Sequence, residues 1–181
     1  FSSIELNYGN PINWHLNPIT GVEVSRHIKW YRISDFDTNR GDIKVIWEAS
    51  RVTHFLYFTR AYMITKDTKY YDAFSQQLDY WLRDNLYSYG ANYKCGQEAT
   101  LRMINTIIAY SVFRAYGLTS ERDEINLKEL IKGSYKKILS NFFYAHKCIK
   151  NNHTLSEILG LIIGAWCSDD KPALKKAYSL M

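Results

Sequence analysis

The segment Asn151-Asn152-His153-Thr154-Leu155-Ser156-Glu157 holds the residue types best suited to chemistry on an anion. Thr154 and Glu157 have the spacing of a capping box, in which a hydroxyl accepts from an early helix N–H and the carboxylate reaches back. With Thr154 as the cap, Asn152 and His153 stand just before the helix and project from its positive end. An amide and an imidazole placed there suit a carboxylate, because the helix dipole and the donors act together. The plainer alternative is that Asn152 or His153 merely closes a loop. Asn152-His153-Thr154 also matches a glycosylation sequon, a pattern too short to assign alone.

Two further clusters carry polar side chains at helical spacing. Gly90-Ala91-Asn92-Tyr93 precedes Gln97, Glu98 and Arg102, and Glu98 with Arg102 four residues on reads as an ion pair worth about 0.2–0.5 kcal/mol. Gly41-Asp42-Ile43-Lys44 leads to Trp47, Glu48, Arg51 and His54; Glu48 and Arg51 have pairing distance, and His54 reads as a satisfied core histidine. There is no HExxH, Walker loop, GxGxxG or GxSxG. His15, His27, His54, His146 and His153 lack ligand spacing with one another or with cysteine, so neither a metal nor a cofactor is expected. Cys95, Cys148 and Cys167 are odd in number and far apart, which predicts reduced, buried thiols in place of a disulfide framework.

The chain of 181 residues fits one domain or part of a larger one. Five Trp, 15 Tyr and 8 Phe suit either a Tyr-rich core or a sugar platform. The net charge of +5 suits an acidic partner. The positive residues are nevertheless dispersed, and the densest run, Lys132, Lys136 and Lys137, reads as a solvated face, so nucleic acid is not the expected partner. The longest apolar stretch, residues 158–167, is too short for a membrane span, and membrane insertion is not expected. The first residues, Phe1-Ser2-Ser3-Ile4-Glu5, are not those of a signal peptide, and the absence of an initial Met suggests a processed or excised fragment.

These side chains must be positioned by helices. Residues 1–41 read as an irregular arm broken by Gly9, Pro11, Pro18 and Gly21, with Trp14, Trp30 and Tyr31 expected to pin it down. Residues 42–181 read as a helical domain. Asp42 is expected to cap one helix running through Tyr62, and Asp67 a second with Tyr70, Tyr71, Phe74, Leu78 and Trp81 on one side. Further helices are expected over about 97–116, stopped by Gly117, then about 123–146 and about 154–167, with Asp170 and Pro172 opening a sixth. The regular step argues for antiparallel neighbours in a bundle, a superhelix or a ring of hairpins.

Taken in order, Asn17-Pro18-Ile19-Thr20-Gly21, Gly41-Asp42-Ile43-Lys44 with Trp47-Glu48 and Arg51, Trp81, Gly90 to Tyr93, Arg102, and Asn151-Asn152-His153-Thr154 with Ser156-Glu157 resemble the amino-terminal helical domain of the heparinase II/III family, from about residue 17 to 170. That family includes heparin-sulfate lyases and related alginate lyases. The resemblance implies an all-α fold, an incomplete α/α toroid, normally followed by an antiparallel β-sandwich domain. It also implies eliminative cleavage of an acidic, uronic-acid-containing polysaccharide, in which a base takes the proton beside the uronate carboxylate and the 4-linked sugar leaves. Asn152 and His153 match the family's Asn-His pair, which neutralises that carboxylate, and Gln97 and Arg102 match a region lining the cleft. The family's Tyr lies on a later helix, so the 181 residues are expected to carry half a site, to be inactive alone and to need the β-sandwich domain of a parent chain. Relatives are often periplasmic or secreted. Three other readings stand beside this one: a carbohydrate-binding or scaffold domain without chemistry, a helical protein-interaction domain, and a hydrolase using two of Glu48, Glu98 and Glu157 across a cleft.

Overall fold

The computed structural model describes residues 6–144 and 152–180. The fold is all-α apart from a two-residue antiparallel pair, β1 (Phe36–Asp37) and β2 (Gly41–Asp42). The helices are α1 (Lys44–Ser50), α2 (His54–Thr65), α3 (Lys69–Asp84), α4 (Gly96–Ala115), α5 (Glu121–Tyr144), α6 (Asn152–Cys167) and α7 (Lys171–Tyr178).

Local signals explain most boundaries. Asp42 and Asp67 accept from the first N–H groups of their helices, Lys44 N and Lys69 N, at 2.9 and 3.0 Å. Gly117, at φ +73°, closes α4 with Leu118 N bonded to Phe113 O and Gly117 N to Arg114 O, the turn that favours glycine beyond a helix end. Asp170 caps α7 by accepting from Ala173 N at 3.1 Å, with Pro172 in the first turn.

Two expectations fail here. The helix expected from Asp42 through Tyr62 is broken into α1 and α2 at Val52, which takes φ +51° while only 1% exposed. Burial of Val52, with its N–H on Ala49 O and its C=O taken by Phe55 N, holds a backbone conformation that a β-branched residue otherwise avoids. The capping box expected at Thr154 and Glu157 is absent: α6 already begins at Asn152, and Glu157 is fully buried. The reciprocal box lies instead at the start of α5. There Asp123 N donates to Ser120 Oγ and Ser120 N to Asp123 Oδ2, at 3.2 and 2.8 Å.

Contact pairs give the helix directions. His54–Gln77 and Phe58–Tyr70 make α2 and α3 antiparallel, and Phe74–Phe113 with Trp81–Arg102 do the same for α3 and α4. Asn141–Glu157 and Tyr135–Asp170 run α5 against α6. Alternate helices are parallel: Thr53–Asn105 and Tyr62–Phe113 align α2 with α4, Gly96–Glu157 and Gly160–Thr100 align α4 with α6, and Tyr71–Asp123 with Asp79–Asn126 align α3 with α5. The result is two rows, α2-α4-α6 and α3-α5, facing each other across the main core of Phe55, Phe74, Leu78, Trp81, Met103, Phe113 and Leu130.

Gly160 and Gly164 let α6 approach its neighbours. A side chain at Gly160 would meet Thr100 and Ile138, and one at Gly164 would meet Tyr135. Trp14 joins the main core at 0% exposure and anchors the arm, whereas Tyr31, expected to help, is 61% exposed and only edges Trp30.

Candidate functional site

The parallel course of α4 and α6 sets their N-terminal ends side by side. Cys95, the residue before α4, lies with Sγ 3.7 Å from Nδ1 of His153 in the first turn of α6. One residue on, Gly96 lies against Glu157: a Cβ there would be 2.5 Å from the Glu157 carboxyl carbon. Asn152 is exposed and His153 half-buried, both in the first helical turn and not before it as the capping-box reading required. Asn151 lies outside the described residues, as do His146 and Cys148.

Beneath this end sits a buried polar cluster. Glu157 accepts from Asn141 Nδ2 at 2.7 Å through Oε1, while Oε2 has no hydrogen-bond partner among the described residues. Its carboxyl is pushed up to about 7 by burial, against the opposing influence of Asn141 and Lys137. Lys137 is 1% exposed, and its Nζ, likewise unpartnered, lies 3.6 Å over the Trp30 ring. Burial pulls this lysine down to about 8. Gln97 Oε1 is, like Glu157 Oε2, a buried acceptor without a hydrogen-bond partner among the described residues. The Lys132 to Lys137 run is therefore not one solvated face: Lys132 and Lys136 are exposed, but Lys137 shares the inward side of α5 with Leu130 and Ser134. That position, seven residues after Leu130, was the available sequence signal.

Beside the cluster, Arg51 donates through Nε and Nη2 to both oxygens of buried Glu98, at 2.6 and 2.9 Å, and through Nη1 to Glu48 at 2.5 Å. Glu98 thus pairs with Arg51 and not with Arg102. Arg102 is fully buried two turns along α4, donating to Ser50 Oγ and Asn92 O and lying 4.3 Å over Trp81. It has no surface to offer a sugar. The structure brings Asn152, His153 and the start of α4 that carries Gln97 to one end, and leaves Arg102 in the core.

The other motif residues hold this end together. Trp47 Nε1 donates to Ala91 O, Asn92 Nδ2 to Trp14 O and Asn85 Oδ1, and Trp81 Nε1 to Ser50 Oγ, each at 2.8–2.9 Å. Asn17 knits the early turn by accepting from Ile19 N and donating to Arg40 O. His54 is satisfied as expected, bonded to Gln77 at 2.7 Å, but it is half-buried at the edge of the core; burial holds its imidazole below its ordinary value. Cys95 is half-buried, but Cys167 is exposed, contrary to the expectation of buried thiols.

The sequence order of these motifs is what a family comparison can test. The model of the heparinase II/III N-terminus matches residues 1–175. The chain belongs to this family. No curated protein and no solved structure matches it. No group of three or more His, Cys, Asp or Glu that could hold a metal occurs among the described residues, and no described helix is long and apolar enough to cross a membrane.

Proposed function

We propose that this chain is the helical part of a polysaccharide lyase that cleaves a uronic-acid-containing glycan by β-elimination. The carrying observation is the pairing of the α4 and α6 N-terminal ends, with Asn152 and His153 in the first turn of α6. Removing the proton beside a carboxylate builds further negative charge on a group already anionic. Donors at a positive helix end oppose that charge. Asn152 and His153 neutralise the carboxylate, and Gln97 at the start of α4 contacts the sugar; Arg102 drops out because it is buried. The two-row helix arrangement supports an incomplete α/α toroid, since inner and outer rows of such a ring run in opposite directions.

A hydrolase reading needs two carboxylates free to converge on a glycosidic bond. Here Glu48 and Glu98 both bind Arg51, and Glu157 is buried on Asn141. The full-length native protein should be offered a panel of uronic-acid polysaccharides while the absorbance of unsaturated uronate ends is followed. A rising signal is the expected result. New reducing ends without that absorbance would mean hydrolysis and would overturn the proposal.

A further inference from the structure

A groove of about 590 Å³ lies between the parallel helices α3 and α5, within the size range of small-molecule sites, and none of Asn152, His153 or Gln97 lines it. Its charged lining is four cations and two carboxylates, so its field favours an anion. The cations are not equivalent. Arg83 and Arg122 are both held by Asp79, at 2.7 and 2.9 Å. Lys132 reaches Glu129 only at 3.6 Å, with both side chains exposed, a pair of little strength. Lys136 lies 4.6 Å over the Tyr87 ring and has no acidic partner among the described residues. The available positive charge therefore gathers at Lys132 and Lys136, on either side of Gly133.

Glycine is unfavourable inside a helix, and here the Tyr93 hydroxyl takes the space a side chain would need: a Cβ at residue 133 would lie 2.5 Å from it. Tyr93 is only 2% exposed, yet it lines the groove, and its hydroxyl has no hydrogen-bond partner among the described residues. Burial pushes this phenol up to about 12, so the hydroxyl keeps its proton and can donate. Asn126, 4% exposed, also lines the groove; it donates through Nδ2 to Asp79 at 3.3 Å and leaves Oδ1 without a partner among the described residues. Buried polar groups left unmatched within the chain call for a partner from outside it. Exposed Leu86 and Ile125 add apolar surface to the same lining.

We propose that this groove binds one carboxylated sugar unit of a glycan, with the carboxylate over Gly133 among Lys132, Lys136 and the Tyr93 hydroxyl. Ring hydroxyls meet Asn126 Oδ1, and the apolar face of the sugar lies on Leu86 and Ile125. An inorganic anion would use the lysines but leave the apolar wall and Asn126 unmatched. A neutral sugar would leave the two lysines unmatched. A nucleic acid needs a longer track of free cations, and the two arginines are already held by Asp79. A site apart from the paired helix ends gives a long glycan a second point of attachment, which raises its affinity without new contacts at the first. Binding in this groove does not depend on elimination chemistry.

The probe is methyl β-D-glucuronoside, which carries the carboxylate but no 4-linked sugar to expel. Its dissociation constant for the full-length protein is measured by saturation-transfer NMR, beside that of the neutral methyl β-D-glucoside. Wild type is expected to bind the glucuronoside about tenfold more tightly than the glucoside, as charge-assisted hydrogen bonds require. The double variant Lys132→Gln, Lys136→Gln should lose that preference. The double variant Lys128→Gln, Lys175→Gln makes the same change in net charge outside the groove and should keep it. Tyr93→Phe removes the hydroxyl, keeps the buried ring, and should weaken binding about three- to tenfold. No measurable binding by wild type, or equal effects of the two lysine double variants, overturns the proposal. Displacement of the glucuronoside by an equimolar amount of inorganic phosphate, or tighter binding of single-stranded oligothymidylate, would mark a phosphate site and overturn it as well. Failure of the full-length protein to form unsaturated ends would instead count against the lyase reading, with the binding result unaffected.

Discussion

Replacing Gly164 by alanine tests whether the position of α6, and with it the placing of Asn152 and His153, is set by close helix packing. Alanine ordinarily gains about 1 kcal/mol over glycine in a helix interior, which would stabilise the chain. A Cβ at residue 164, however, would lie 2.7 Å from Cγ and 2.9 Å from Cβ of Tyr135, well inside the 3.4 Å at which ordinary contact begins. The near atoms are the root of the Tyr135 side chain, so they retreat only if α5 and α6 move apart. Tyr135 also bonds Asp170 at 3.3 Å, tying it to the start of α7. Overpacking of this kind costs about 1–3 kcal/mol, and with both near atoms close to the backbone the upper part of that range applies. Steric cost therefore exceeds helix propensity, for a net loss of about 1–2 kcal/mol. With a urea slope of about 2 kcal/mol per molar, the unfolding midpoint should fall by about 0.5–1 M. An unchanged or raised midpoint would refute the reasoning, showing that Tyr135 turns aside and that glycine does not set the helix separation.

Other perturbations probe the charges at the helix ends. Arg51→Met should cost about 2–4 kcal/mol in urea unfolding, because it strands the buried Glu98 carboxylate; a loss below 0.5 kcal/mol would show that water reaches Glu98 readily. Glu157 is raised to about 7 in the fold from an unfolded value near 4.5, so the native state holds the extra proton between those values. Stability contributed by this group is present below about pH 4.5 and lost as pH rises through about 7, and Glu157→Gln should flatten that decline in melting temperature measured from pH 5 to 8. Identical profiles for wild type and variant would show that Glu157 ionises freely.

How far the sequence foretold these features depended on whether the signal was local. Gly117 and the Asp170-Pro172 pair declare helix ends through backbone conformation and capping chemistry alone, and both act as expected. The break at Val52 left no local mark, since no Gly or Pro stands there and burial together with the bonds to Ala49 and Phe55 holds its left-handed backbone. Thr154 and Glu157 had the spacing of a cap, but tertiary packing took Glu157 into the interior against Gly96 and Asn141. Arg102 and Lys137 show the same limit. An arginine matched to a cleft and a lysine in a basic run both proved buried, and only the direction of each helix face decides that. The Asn152-His153 pair was legible as a constellation, whereas Cys95 and Asn141 entered the site through folding contacts 58 and 16 residues apart in sequence.

The most direct test of the central claim is the turnover of the full-length protein carrying Asn152→Ala on the polysaccharide that gives the strongest unsaturated-product signal. Asn152 is exposed, so the substitution should leave the unfolding midpoint within about 0.5 kcal/mol of wild type. Removing a donor to developing charge should lower kcat by about a hundred- to a thousand-fold. Wild-type turnover in a folded Asn152→Ala protein would contradict the account.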